Sequence, residues 1–109
     1  MLLEKPALKK ARTFLCTVRR LKDALQAYRG GNRLQSAKYL SQAKEYLHSL
    51  CTWDQAQFLS REPILEKYLL YFSPEVNDHR DEDILEVVER CKEIKLNDLL
   101  SLSESLSTP

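Results

Sequence analysis

The sequence predicts an all-α fold, a compact bundle of five to six helices, on three observations. Apolar residues recur at steps of three and four along most of the chain, which is the spacing of one helix face. Only two glycines and four prolines occur in 109 residues, fewer than the turns of a β-sandwich require. No segment alternates apolar and β-branched residues with polar ones. A chain of this length forms one domain with a modest core.

The first two helices are expected to form a long antiparallel hairpin. The first covers residues 7–29 and follows Pro6, whose missing N–H has no cost at a helix start. The glycine pair at 30–31 ends this helix, because glycine adopts the left-handed conformation of a helix C-terminus. Asn32 is placed to cap the second helix, residues 33–50. Such a short connection places the two helices side by side.

Shorter helices are expected to close the apolar faces of this hairpin. Thr52 and Gln55 have the spacing of a capping box, in which each side chain satisfies an N–H at the helix start. Asp81 and Asn97 are expected to cap two later helices. The expected short helices cover residues 53–60, 63–72 and 82–94, with a last segment that starts at 97.

A single domain is expected over residues 1–102, and the serine-rich residues 103–109 are expected to form a frayed tail or linker. The apolar stripes of the helices define its core. The residues expected to be buried there are Val18, Leu25, Leu40, Leu47, Trp53, Leu69, Val88 and Cys91.

Charge is divided unequally along the chain, although the net charge is only +1. Residues 1–50 hold eleven lysines and arginines against three acidic residues, whereas residues 51–109 hold six against thirteen. This division indicates either two halves that attract each other within one domain or a basic surface for an anionic partner.

Two charged faces are candidates for partner binding. A basic face on the first helix, opposite Val18, would bind an acidic protein or, as the alternative, a nucleic acid. An acidic stripe on the helix at 82–94 points outward, as a solvated face or a protein-docking surface, since acid–base catalysis needs a cleft. The basic face consists of Lys9, Arg12, Arg19 and Arg20, and the acidic stripe of Glu82, Glu86, Glu89 and Glu93.

A possible docking motif lies near the C-terminal end. Leu96, Leu99 and Leu100 have the LxxLL spacing of short helices that bind hydrophobic grooves. With Ile94 and Leu102 they also suit a nuclear-export segment. Because any leucine-rich amphipathic helix produces these patterns, we expect the leucines to pack within the domain.

The sequence lacks the usual signatures of catalysis, cofactors and metals. Its two adjacent glycines leave no dinucleotide fingerprint and no phosphate-cradling loop. His48 and Cys51 lie three residues apart, but a closed zinc site needs four ligands, and His79 and Cys91 would have to converge on them. Three widely spaced cysteines favour a reducing compartment, and no apolar run is long enough for a membrane span.

The sequence therefore predicts a non-catalytic docking or adaptor domain of a larger intracellular protein or assembly, in the nucleus or cytoplasm. Its partner is expected to be another protein or peptide, with nucleic-acid binding through the first helix as the alternative. Membrane binding is not expected, because the apolar stripe of the first helix is expected to be buried in the core of the domain. The opposite charges of the two faces also permit self-association between copies.

Overall fold

The structure, a computed structural model, describes residues 5–71 and 80–106. Within these two ranges the chain forms six helices and no strand, which confirms the predicted all-α bundle. The helices are α1 (Pro6–Arg29), α2 (Arg33–His48), α3 (Thr52–Arg61), α4 (Pro63–Tyr71), α5 (Asp81–Glu93) and α6 (Leu96–Leu106).

Helix α1 is the central element, because it packs against α2, α6 and α5. Its stripe of Phe14, Val18 and Leu21 is almost completely buried. The Phe14 ring stacks on the ring of Phe58 in α3, with 4.6 Å between centroids, a spacing typical of favourable aromatic pairs. The face of α1 that remains exposed therefore lies opposite this stripe.

The predicted hairpin between α1 and α2 is present. Gly31 has a φ of +83°, a conformation that glycine adopts without steric cost. The Asn32 side chain accepts a hydrogen bond of 3.1 Å from the Gln35 N–H, as expected of a helix cap. The buried Ser36 hydroxyl donates to the Ala24 carbonyl at 2.7 Å and joins the two helices. Helix α2 ends at His48, two residues before the predicted boundary.

The capping box predicted at Thr52 is wrong, because the cap lies one residue earlier. Cys51 is the residue that precedes the helix, and its thiol donates to the Asp54 carboxylate at 3.1 Å. The Gln55 amide donates instead to the Leu50 carbonyl at 2.8 Å. A cysteine replaces the hydroxyl residue usual at this position, so the local sequence pattern misplaced the boundary.

The predicted core is confirmed except for Trp53. The other seven predicted residues are buried, at most 5% exposed, whereas the Trp53 side chain is 63% exposed. Phe58 and Leu59 form the buried side of α3, and the helical repeat places Trp53 on the opposite side. The prediction that Trp53 is buried is therefore wrong.

The first four residues of the tail expected over 103–109 are helical rather than frayed, and residues 107–109 lie outside the described residues. Helix α6 continues to Leu106, and Ser103 is fully buried. Two expected caps are displaced as well, because Arg80 precedes α5 and Asp81 is its first residue. Asn97 likewise lies inside α6, which begins at Leu96. The helix end expected at Phe72 lies outside the described residues.

Candidate docking surfaces

The basic face predicted on α1 is divided by the structure. Lys9, Arg12 and Arg19 are exposed on the side of α1 that faces away from the core. Arg20 instead belongs to the contact with α2, since its guanidinium lies 5.6 Å from the Tyr39 ring centroid and 3.4 Å from the Asp23 carboxylate. We call the three exposed residues the basic surface.

A pocket at one end of the basic surface gathers additional cations. Its volume is about 240 Å³, and it lies between α1 and the junction of α5 with α6. Arg19 thus belongs to both the basic surface and the pocket. We call this the cation pocket, lined by Arg19, Lys22, Lys92 and Lys95 together with Leu15, Cys91, Ile94 and Leu96.

Few intramolecular carboxylates neutralise the cation pocket. None of the lining residues, all within the described ranges, is acidic. Arg19 and Lys22 form no ion pair with a described residue. Lys95 donates to the Lys92 carbonyl at 3.2 Å, and only Lys92 has a carboxylate partner, Glu89 at 3.3 Å. Most of the positive charge in the pocket therefore remains available to an external anion.

The acidic stripe on α5 is exposed, as predicted, and two of its four carboxylates have a cation partner among the described residues. Glu86, Glu89 and Glu93 line a groove of about 560 Å³ beside the start of α4. Glu89 pairs with Lys92, and Glu93 lies 3.2 Å from Arg90. The groove is thus weaker as a site for an external cation than the cation pocket is for an anion.

A paired carboxylate and guanidinium separate this groove from a third cavity of about 410 Å³. Arg90 makes two parallel hydrogen bonds to the buried Glu62 carboxylate, one of them 2.8 Å long from Nε. These bonds raise the pKa of the Arg90 guanidinium above its usual range. Such fork-like pairs combine strength with fixed geometry. The pair joins the α3–α4 turn to α5 and is a structural contact.

The LxxLL leucines lie within the fold. Leu99 is only 3% exposed, and Leu96 and Leu100 pack against the core from partly buried positions. A groove-binding helix must present its leucines to the partner. In this structure the leucines instead fix α6 against its neighbours.

The cysteines and histidines do not form a recognisable reactive site among the described residues. Burial raises the pKa of the Cys91 thiol to about 12, so that it is neutral at physiological pH. Cys51 and His48 are exposed near the end of α2. The described residues contain no group of three His, Cys, Asp or Glu arranged to hold a metal, and His79 lies outside them. No described helix has the length and apolar character of a membrane span.

The site residues predicted from the sequence do not include Lys22, Lys92 and Lys95. Lys22 borders the apolar stripe of α1 in the sequence pattern, where long side chains often cover hydrophobic surface. Lys92 and Lys95 are about 70 residues further along the chain. Only the packing of α5 and α6 against α1 brings them to Lys22, and no local spacing in the sequence reports that packing.

Comparison of the chain with protein-family models, with curated proteins and with solved structures finds no match.

Proposed function

We propose that this chain is a non-catalytic docking domain that binds an acidic segment of another protein on the basic surface and the cation pocket of α1. One observation carries the proposal. Four cations from α1, from α5 and from the α5–α6 connection line one pocket, and only one of them has a carboxylate partner among the described residues. Unbalanced surface charge of this kind steers oppositely charged partners and fixes their orientation.

The size of the basic surface favours a short acidic segment over a nucleic acid. Together with Lys22 of the cation pocket, the basic surface extends about 20 Å along α1, measured from Lys9 at 1.5 Å per residue. Duplex DNA carries one negative charge per roughly 1.7 Å and continues far beyond such a length. A duplex that continued past Lys92 would contact Glu89 and the other exposed carboxylates of the acidic stripe. A long polyanion would therefore be repelled at one end of the surface.

The lining of the cation pocket also favours a protein partner. Leu96, which is partly buried, contributes apolar surface beside the cations, above the buried Leu15 and Ile94. Peptide-binding sites commonly combine apolar contact with a few charged groups that fix orientation. A segment with acidic residues next to leucine or valine would use both parts of the pocket.

Fluorescence anisotropy with a labelled acidic peptide tests the proposal. The peptide alternates aspartate and glutamate with leucine, and a single-stranded oligonucleotide of equal length serves as the competing probe. We expect Arg12→Glu with Arg19→Glu to weaken peptide binding about tenfold or more, because two attractive charges become repulsive. The matched control is Lys38→Glu with Arg80→Glu, two exposed cations outside the surface, which should leave the affinity nearly unchanged.

The outcomes separate the two classes of partner. Peptide binding that depends on Arg12 and Arg19 supports the proposal. Tighter binding of the oligonucleotide, with a steep loss of affinity as salt rises, would assign the surface to nucleic acid instead. Equal peptide affinities in the surface variant and the control variant would contradict the proposed site.

A further inference from the structure

The cation pocket carries more positive charge than one carboxylate side chain needs. Arg19, Lys22 and Lys95 have no carboxylate partner among the described residues. Their positive charges are brought together around a volume of about 240 Å³. Like charges held this close repel one another, so a ligand with more than one negative charge would relieve the repulsion best.

We propose that the cation pocket binds the phosphoryl group of a phosphorylated serine or threonine in the partner segment, an inference that rests on the docking function proposed above. A phosphorylated side chain carries about −1.5 to −2 charges at neutral pH and offers three strong acceptor oxygens. A carboxylate offers one charge and two oxygens. Clusters of arginine and lysine are the usual means by which proteins recognise such groups.

The individual cations suit separate tasks around a phosphoryl group. The planar guanidinium of Arg19 can donate two parallel hydrogen bonds to two phosphoryl oxygens. Lys22 and Lys95 approach from α1 and from the α5–α6 junction, and each supplies a compact charge with three donors. The ligand would therefore be held from two elements of the fold at once.

Lys92 can join these groups at little cost. Its pair with Glu89 spans 3.3 Å, and both side chains are about half exposed, at 49% and 56%. Exposed pairs of this kind contribute little to stability, because water screens the charges. A dianionic phosphoryl group can therefore replace Glu89 as the partner of Lys92.

The volume of the pocket limits what it accepts. Sites for drug-sized ligands and cofactors occupy about 300–1,000 Å³, whereas the cation pocket has about 240 Å³. One phosphoryl group and the short side chain that carries it suit this volume. Leu96, which is only partly buried, is available to a neighbouring residue of the partner.

The test compares two labelled peptides of one sequence, acidic and leucine-containing with a central serine, either phosphorylated or not. We expect the phosphorylated peptide to bind about tenfold more tightly by anisotropy, from new charge-assisted hydrogen bonds. Lys22→Gln with Lys95→Gln should remove most of this gain. It should weaken binding of the unphosphorylated peptide by a smaller factor than binding of the phosphorylated one, because Arg12 and Arg19 remain. Lys38→Gln with Arg80→Gln is the matched control and should retain the gain. Circular dichroism checks that each variant folds.

The outcomes distinguish failure of the phosphoryl site from failure of the docking function. Equal affinities for the two peptides would overturn the phosphoryl site while leaving the docking function in place. A gain that persists in the Lys22 and Lys95 variant would also overturn it, because the phosphoryl group would then bind elsewhere. Failure of both peptides to bind the unaltered chain would contradict the docking function itself. If the double variant does not fold, Lys95→Gln alone, at an exposed position in the α5–α6 connection, decides the same question.

Discussion

At the scale of single residues, the ion pair between Glu62 and Arg90 is a stabilising contact that the sequence pattern did not predict. Glu62 is 6% exposed, and the hydrogen bonds from Arg90 offset the free-energy cost of burying its carboxylate. We expect Arg90→Ala to lower the free energy of unfolding by about 2 kcal/mol. That is less than the ~3–5 kcal/mol of a fully buried pair, because 41% of the Arg90 side chain is exposed to screening by water.

Lys92→Ala is the control for this substitution, since it removes an exposed ion pair from the same helix. Urea unfolding should show a loss below about 1 kcal/mol for it. Equal losses of unfolding free energy in the two variants would mean that water solvates Glu62 and that its pair with Arg90 stabilises no more than an exposed ion pair.

Cys91 provides a second prediction at this scale, a loss of stability at alkaline pH. Burial raises the pKa of its thiol from near 9 to about 12, so between these values the unfolded chain loses a proton that the folded chain keeps. The unfolded state then binds fewer protons, and stability falls by up to about 1.4 kcal/mol per pH unit. Tyr68 acts in the same direction, because burial and the charges of Asp83 and Glu86 raise its pKa.

The measurement is a series of urea unfolding curves from neutral pH to pH values above 9. Cys91→Ala removes the thiol, so the free energy of unfolding of this variant should fall less steeply with rising pH than that of the unaltered chain. Parallel declines in the two proteins would show that Cys91 ionises as readily in the folded state as in the unfolded one.

At the scale of elements, the α1–α2 hairpin should carry much of the stability. Leu25 and Leu47 are fully buried, whereas Leu34 of α2 is 85% exposed. Alanine at either buried position should cost roughly 2–5 kcal/mol through lost burial and the cavity that remains. Leu34→Ala should change stability by less than about 0.5 kcal/mol. Thermal or urea unfolding compares the three variants, and a neutral Leu25→Ala or Leu47→Ala would contradict the assigned helix faces.

The elements also show how far sequence reasoning extends. Periodicity located α1, α2, α4 and α5, because each has an apolar stripe, and Gly31 with Asn32 marked the hairpin turn correctly. The positions of α3 and α6 were predicted from capping residues that the structure displaces by one or two positions. Trp53 was misplaced, since an apolar side chain at the margin of a short helix has no stripe to assign its side. Cys51 was missed as the residue before α3, because a thiol seldom occupies that position.

The site was less predictable than the fold. Exposure of Lys9, Arg12 and Arg19 follows from the helical repeat and was predicted. The convergence of Lys22 with Lys95 depends on how α1 packs against the later helices, which no local pattern encodes. Arg20 was assigned to the basic face, because the sequence does not show that Tyr39 and Asp23 engage it.

At the scale of the whole molecule, the unequal division of charge becomes two adjacent surfaces of opposite sign. Within the described residues, Arg90 and Lys92 pair with two of the four carboxylates of the acidic stripe, whereas only one of the four cations of the cation pocket has a carboxylate partner. Self-association between the two surfaces stays a prediction, and it should weaken as salt rises. Light scattering at low and high salt distinguishes such contacts from a monomer.

The central claim, that an acidic protein segment docks on α1 and the cation pocket, is tested most directly by mapping where a peptide binds. Nuclear magnetic resonance of the isotope-labelled chain, titrated with the acidic peptide, reports each backbone amide separately. We predict that the largest shifts cluster at Arg12, Arg19, Lys22 and Lys95, and that high salt reduces them. Shifts centred on the acidic stripe, or no saturable shift at any residue, would contradict the claim.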